Sequence, residues 1–141
     1  MAVSVDALKN VPLMSGLDER GLNRLAAAFK ERTVGAGEEL VKQGSGGVAF
    51  FILLEGELAV RIGDEVRATL SPGDYTGEMS LLDPDALRSA SIAATTDSRV
   101  AYMSSWEFKP FVLEHPEIAW EMLKVLAKRV REAEQRRAHA A

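Results

Sequence analysis

The sequence predicts a mainly β fold of the α+β class, an antiparallel β-roll (jelly-roll, or double-stranded β-helix) flanked by N-terminal and C-terminal helices. Short apolar runs separated by glycine-rich turns fill the middle of the chain, whereas apolar spacings of three and four mark both ends. No helical pattern separates the central runs, as a parallel sheet would require. We expect one domain over residues 1–141, with helices over about 4–32, the β-roll over about 33–103 and helices over about 104–138.

The first part of the chain, residues 6–32, has the periodicity of short amphipathic helices. Its apolar residues recur at helical spacing and are interrupted at Pro12 and Gly16, which predicts two short helices rather than one long one. Asp18 is a candidate N-cap for the second helix, which we expect to run to about Glu31.

The central segment is predicted to form a succession of short strands. Residues 48–54 are all apolar, which is typical of a fully buried strand. Apolar residues then alternate over 58–62 and 66–70 on either side of Gly63-Asp64, which predicts a β-hairpin. After a turn at residues 72–74, two further strands are expected over about 89–94 and 99–103.

The last part of the chain is helical again. A short helix is expected to begin at Ser105–Glu107 and to end at His115-Pro116, because the residue before a proline disfavours helical backbone. A longer helix is expected from Glu117 to about His139. Its predicted buried stripe consists of Ile118, Met122, Val125, Leu126 and Val130.

Composition excludes several classes of function. The net charge of −4 argues against a nucleic-acid-binding domain, which usually carries a strong basic excess. The apolar runs are too short to span a bilayer, and no basic start followed by a long apolar stretch opens the chain, so we expect a soluble, cytoplasmic protein with no membrane partner. The absence of cysteine excludes disulfides, thiol catalysis and cysteine-ligated metals.

The segment over residues 77–90 contains the residue types that can bind a ribose phosphate. Gly77 allows a close backbone approach, and the residues after Glu78 can form a helical turn whose free N–H groups face an anion. Arg88 can meet a phosphate with a forked pair of hydrogen bonds, and Ser89 adds a hydroxyl. Glu78 can accept hydrogen bonds from sugar hydroxyls.

This segment resembles the phosphate-binding cassette of cyclic nucleotide-binding domains, in which Phe-Gly-Glu, a few apolar or small residues and a loop precede Pro-Arg-Ser-Ala. Two positions depart from that pattern: Thr76 replaces the aromatic residue and Leu87 replaces the proline. We expect the first to alter packing beneath the cassette and the second to leave the loop less rigid. The order of helices, β-roll and helices matches the same family over essentially the whole chain.

The resemblance implies a ligand-binding site, with cAMP as the first candidate ligand, cGMP as the alternative, and no further cofactor. The residues implied are Gly77, Glu78, Met79, Ser80, Arg88, Ser89 and Ala90 of the cassette, Val60 in the pocket wall and Arg129 of the last helix. Each also has an ordinary structural interpretation. Glu78 could be an exposed helix-capping carboxylate, Arg129 one more solvated charge, and the apolar residues part of the core.

Enzyme chemistry has little support in the sequence. Metal-dependent small β-rolls need several histidines on strands, but the two histidines are His115, at a helix end, and His139, in the tail. No nucleophile elbow or phosphate loop ending in Gly-Lys occurs. We therefore expect no catalysis and no metal, and a small β-roll enzyme or isomerase is the least favoured alternative.

The leading hypothesis is a free-standing cyclic nucleotide-binding domain that acts as a sensor or regulatory subunit. The chain continues into no helix-turn-helix, so we expect no DNA binding of that kind. Its output would pass through an unknown partner protein or through a homodimer formed by the C-terminal helix. The rival hypothesis is a degenerate domain that keeps the fold but serves protein contacts without binding nucleotide.

Overall fold

The computed structural model describes residues 3–42, 44, 49–78, 82–83 and 90–140, and the structural statements below concern these residues. Two four-stranded antiparallel sheets follow the N-terminal helices and precede the C-terminal helices along the chain, which confirms the predicted fold class. The N-terminal elements are helix α1 (Val5–Lys9), a 3-10 helix (Pro12–Met14) and helix α2 (Glu19–Ala28). The strands are β1 (Lys30–Val34), β2 (Glu39–Val41), β3 (Ala49–Glu55), β4 (Leu58–Ile62), β5 (Glu65–Leu70), β6 (Tyr75–Thr76), β7 (Ser91–Ala94) and β8 (Ser98–Ser104). Helices α3 (Ser105–Glu114) and α4 (Pro116–Ala140) complete the chain.

Helix α2 begins where the sequence predicts and ends earlier. The Asp18 carboxylate accepts a hydrogen bond from the Gly21 N–H at 2.8 Å, as an N-cap does. The helix ends at Ala28 rather than near Glu31, because Phe29 is already extended and β1 begins at Lys30. Pairing of β1 with β8 supplies these residues with inter-strand hydrogen bonds, and this long-range pairing overrides the local helical pattern.

The two sheets have the strand orders β1-β8-β3-β6 and β2-β7-β4-β5. The predicted β4–β5 hairpin is confirmed, with Leu58 opposite Leu70. The predicted alternation on β5 is wrong for most of the strand, because Glu65–Thr69 are all exposed and only Leu70 is buried. A bulge opposite Val60 and Arg61 interrupts the pairing, and β5 is the edge strand of the second sheet.

Strand β3 separates two apolar cores. Phe51 and Leu53 face the core between the sheets, which we call the roll core. Phe50 and Ile52 face the core between the first sheet and the helices, which we call the helix core. A strand buried on both faces has no polar positions, and this explains its continuous apolar run. In the helix core, the rings of Phe50 and Phe108 stack with their centroids 4.3 Å apart.

The C-terminal helices follow the sequence prediction except at one residue. Helix α3 begins at Ser105 and ends before His115, as predicted, and its N-cap is Ser104, whose hydroxyl accepts from the Glu107 N–H at 3.2 Å. On α4, Ile118 and Met122 are buried, but Val130 is 57% exposed, so the predicted buried stripe is wrong at that residue.

A second, exposed stripe of α4 explains the position of Val130. This stripe contains Trp120 and Leu123, which are 65% and 56% exposed. Val130 follows Leu123 by seven residues, and two turns of an α-helix bring such residues within about 20° of each other. Val130 therefore lies beside Leu123, away from the helix core.

Candidate functional site

The cassette glycine is fixed in place by a backbone contact. Gly77 has a φ of 101°, and a Cβ at this position would lie 2.3 Å from the Ala49 carbonyl oxygen. Only glycine tolerates both the left-handed backbone and this approach to β3. The turn at Gly77 directs the next residue, Glu78, into the protein interior.

Glu78 is a buried carboxylate, with 4% of its surface exposed. Its Oε1 accepts a hydrogen bond from the guanidinium of Arg129, which reaches it from α4 across 51 positions of sequence. Its Oε2 is enclosed and has no hydrogen-bond partner among the described residues. The interpretation of Glu78 as an exposed helix cap is therefore wrong. A buried acceptor without a donor is energetically costly, which marks this oxygen as one that a ligand could satisfy.

Tyr75 completes the surroundings of the Glu78–Arg129 pair. Its ring lies beneath the guanidinium, with 5.8 Å between the Arg129 Cζ and the ring centroid, and it also packs on Phe50, with 5.5 Å between the two ring centroids. Burial, followed by the nearby Glu78 charge, raises the pKa of Tyr75 to about 12. The phenol therefore stays neutral over the physiological range, and its enclosed hydroxyl has no partner among the described residues.

A cavity of about 90 Å³ lies beside this cluster, between the 3-10 helix, the β5–β6 turn and α4. Its lining residues are Pro12, Leu13, Gly73, Asp74, Tyr75, Glu121, Val125 and Arg129. Ligand-sized pockets are usually at least about 300 Å³, so this cavity is too small for a nucleotide. It lies on the side of the cluster that faces the helices.

The structure describes only part of the predicted site. It brings Gly77, Glu78 and Arg129 together, and it places Ala90, half-buried, directly before β7. Val60 is half-buried and packs against the roll core, opposite Ile92 of β7. Four predicted site residues lie outside the described residues: Met79, Ser80, Arg88 and Ser89.

Two residues depart from the family pattern, Thr76 and Leu87. Thr76 is half-buried on β6 and pairs with Phe51 of β3, so the position before the cassette glycine is held in the first sheet. Leu87 lies outside the described residues.

Sequence reasoning missed Tyr75 and the direct pairing of Glu78 with Arg129. Tyr75 carries no local signal beyond its place on a strand. The pair joins the cassette to the last helix, and no short-range pattern predicts which of several arginines on α4 faces the β-roll.

Within the described ranges, no three side chains of the metal-ligating types come together. Among the same residues, no helix has both the length and the apolar character needed to cross a membrane.

The fold and the cassette define a class of protein, and comparison with known families agrees. The family model described as "Cyclic nucleotide-binding domain" matches residues 31–115. The chain belongs to this family, as the resemblance predicted.

Three relatives illustrate the likeness. The cAMP-dependent protein kinase regulatory subunit of Colletotrichum orbiculare is 36% identical over 74% of this chain, and the match covers 27% of that subunit. The Cyclic AMP receptor protein of Thermus thermophilus is 30% identical over 90% of this chain and is covered over 61% of its length. A solved structure described as "Sp-2Cl-cAMPS bound to PKAR CBD2" superposes with a TM-score of 0.78 at 28% identity, covering 92% of this chain and 88% of that one.

Proposed function

We propose that this domain binds cAMP as a regulatory ligand and catalyses no reaction. The observation that carries the proposal is the buried Glu78 carboxylate, of which one oxygen is held by Arg129 and the other has no partner among the described residues. Glu78 Oε2 lacks a hydrogen-bond donor, and a ribose hydroxyl is a small, neutral group that can donate to it. Binding would therefore relieve a cost that the ligand-free domain bears.

Arg129 has two roles in this proposal. Its guanidinium donates a hydrogen bond to Oε1 of Glu78 and so holds the carboxylate in place, with Oε2 left to accept from a ligand. Its position on α4 also links the site to the last helix, because any ligand that rearranges the Glu78–Arg129 contact changes what holds α4 on the β-roll. Occupancy could in this way alter the position of α4.

The phosphate-binding part of the proposal rests on the family resemblance. Arg88 would supply the cation for the single negative charge of the cyclic phosphate, and Ser89 would add a hydroxyl. The backbone N–H groups after Glu78 would complete the anion site. Met79, Ala90 and Val60 would form the apolar wall.

The choice of cAMP over cGMP is supported by the names of the relatives, which are regulatory subunits of cAMP-dependent kinases and a cAMP receptor. Most of these relatives are much longer than this chain. A role as a sensor that acts on a separate output protein is therefore proposed by analogy.

Calorimetric titration with cAMP, cGMP and 2′-deoxy-cAMP tests the proposal. We expect cAMP to bind most tightly and 2′-deoxy-cAMP to bind more weakly by roughly 1.5–3 kcal/mol, the value of a hydrogen bond to a charged group. Glu78→Gln should remove most of the difference between the two, because both changes weaken the same contact. Glu132→Gln, at an exposed position of α4, is the matched control and should bind like the unchanged protein.

A degenerate domain without nucleotide binding is the second candidate function. Thr76 at the position of the family aromatic favours it, and so does the contact that already occupies one Glu78 oxygen. If neither nucleotide gives measurable heat at millimolar concentration, this second candidate replaces the first.

Self-association through α4 is the proposed form of output if no partner protein is needed. The exposed Trp120, Leu123 and Val130 follow one another at spacings of three and seven, which a two-stranded coiled coil would accommodate. Leu123→Lys should convert a dimer to a monomer in sedimentation velocity experiments, whereas Lys124→Glu, outside the stripe, should leave the mass unchanged. If the protein without substitutions is monomeric both with and without cAMP, this form of output is ruled out.

A further inference from the structure

Helix α4 has an outward face that carries apolar residues in a regular order. Trp120, Leu123 and Val130 are each more than half exposed, and Ala127 between them is exposed too. The four residues follow one another at spacings of three, four and three, which is the pattern of positions a and d in a heptad repeat, with Trp120 at position a. We call these four residues the outer stripe.

The outer stripe lies opposite the face by which α4 packs on the rest of the protein. In the same heptad register, the residues that contact the protein fall at position f, with Ile118 and Val125, and at position c, with Met122 and Arg129. Positions c and f lie roughly half a turn of the helix away from positions a and d. The outer stripe is therefore open to a second helix while α4 stays in place.

The two flanks of the outer stripe differ in charge and in exposure. Position e, on one flank, is occupied by Lys124 and Arg131, and both are exposed. Position g, on the other flank, is occupied by Ala119, Leu126 and Ala133, and all three are half-buried. The accessible flank of the outer stripe is therefore the basic one.

The charge of the whole chain is divided in the same way. Residues 122–141 contain six lysines and arginines against two glutamates, whereas residues 1–121 contain eleven basic against nineteen acidic residues. Lys124 contacts Glu121 of the same helix at 3.1 Å, and Arg131 has no ion-pair partner among the described residues. Because an exposed ion pair within a helix is weak, both cations are available to a partner.

We propose that the outer stripe docks an amphipathic helix of a partner protein, and that this helix carries carboxylates opposite Lys124 and Arg131. Its apolar residues would pack between those of the outer stripe, and its glutamates or aspartates would pair with the two cations. The inference rests on the part of the proposed function in which a separate protein carries the output, and it names the chemistry of that protein.

A second copy of this chain fits the outer stripe less well than an acidic helix does. In a parallel pair of helices, position e of one chain meets position g of the other, where this chain has only alanine and leucine. In an antiparallel pair, position e meets position e, which brings Lys124 and Arg131 of the two chains together. Neither arrangement supplies an acidic partner for these cations.

A membrane surface is also a poorer occupant. Helices that lie on anionic membranes combine an apolar face with basic residues on the polar face. Here Glu134 occupies the next position a and continues the line of the outer stripe with a carboxylate. An anionic lipid surface would repel this carboxylate, whereas a short partner helix can end before it.

Calorimetric titration with two designed peptides tests the proposal. Each peptide has about three heptads with leucine at positions a and d, and it carries either glutamate or lysine at all positions e and g, which keeps each peptide from pairing with itself. At low ionic strength and without nucleotide, we expect the acidic peptide to bind roughly tenfold or more tightly than the basic peptide. In about 1 M salt the difference should shrink to roughly twofold, because salt screens exposed charges.

A charge reversal on α4 identifies the residues responsible. Lys124→Glu combined with Arg131→Glu should reverse the preference, so that the basic peptide binds more tightly. Lys9→Glu combined with Lys109→Glu is the matched control, because it changes the net charge equally at exposed positions of α1 and α3, and it should keep the preference for the acidic peptide.

Several results would overturn the proposal. These are equal affinity of the unchanged protein for both peptides, no binding of either, or a reversal that also occurs in the control variant. Self-association through the outer stripe, or binding to phosphatidylserine vesicles, in place of binding to the acidic peptide would overturn it too. The salt dependence is measured on the unchanged protein, so the test does not depend on the variants folding. Because no nucleotide is present, failure to bind cAMP would contradict the proposed ligand and leave this inference to be judged separately.

Discussion

The two cores of this protein differ in the polar groups they contain. The roll core is lined by aliphatic and aromatic side chains, from Val34 to Val100. The buried side-chain atoms without hydrogen-bond partners among the described residues all lie on the helix side of the first sheet or at the contacts of α3 and α4: Tyr75 Oη, Glu78 Oε2, Ser105 Oγ and His115 Nε2. An apolar core has one best packing, whereas unsatisfied polar groups leave a region able to gain from rearrangement. From this comparison we predict a rigid roll and a helical layer that can change its position.

Truncations on the two faces of β3 give the largest expected effect. Phe50→Ala removes the ring that contacts Phe29, Tyr75 and Phe108, and it should destabilise the protein by about 3–5 kcal/mol. Leu53→Ala, on the roll-core face, should cost about 2–5 kcal/mol. Urea denaturation measures both.

The two truncations should differ in where the structure loosens. Hydrogen exchange in α3 and α4 should accelerate beyond the global change for Phe50→Ala only. Equal acceleration in both variants would contradict the division into a rigid roll and an adjustable helical layer.

Removal of Arg129 tests the link between the cassette and α4. Arg129→Met leaves the buried Glu78 carboxylate without its cation, and we expect a loss of about 2 kcal/mol, less than for a fully buried pair because the Arg129 side chain is 41% exposed. Arg131→Met, at an exposed position two residues away, should change stability by less than about 0.5 kcal/mol. Indistinguishable urea midpoints for the two variants would mean that the pair does not hold α4.

Alkaline pH should weaken the helical layer through Tyr75. Because the pKa of Tyr75 is raised to about 12, the folded protein keeps a proton that the unfolded chain releases near pH 10. The stability contributed by the neutral phenol is complete below about pH 10 and is lost as pH rises toward 12, a change of about 2 kcal/mol by pH 12.

Ultraviolet titration identifies the group responsible. The chain has two tyrosines, and the late-titrating one should vanish in Tyr75→Phe and persist in Tyr102→Phe. The Tyr75→Phe variant should also lose the additional fall in urea midpoint above pH 10. A late titration that survives in Tyr75→Phe would contradict the assignment to this phenol.

Two adjacent serines give the smallest and most local comparison. Ser104 caps α3, so Ser104→Ala should cost about 1 kcal/mol. The Ser105 hydroxyl is buried without a partner among the described residues, so Ser105→Ala should be neutral or slightly stabilising. Thermal denaturation of the two variants resolves this difference, and a larger loss for Ser105→Ala would show that its hydroxyl has a partner in solution.

Much of the fold could be predicted from local sequence patterns. The continuous apolar run of β3, the β4–β5 turn and the Asp18 cap are determined by neighbouring residues, because turn, cap and periodicity preferences act over a few positions. Glu78 and Arg129 were identified through the family resemblance rather than through a local pattern, and their roles toward a ligand remain predictions.

Only the tertiary structure decided the features that depend on distant partners. The start of β1 at Lys30 depends on pairing with β8, and the exposure of Val130 depends on which side of α4 meets the helix core. The contact of Arg129 with Glu78 and the packing of His115 against Gly21 join residues far apart in sequence. Such contacts depend on how whole helices and strands pack together. A short stretch of sequence does not determine that packing, so it cannot predict these contacts.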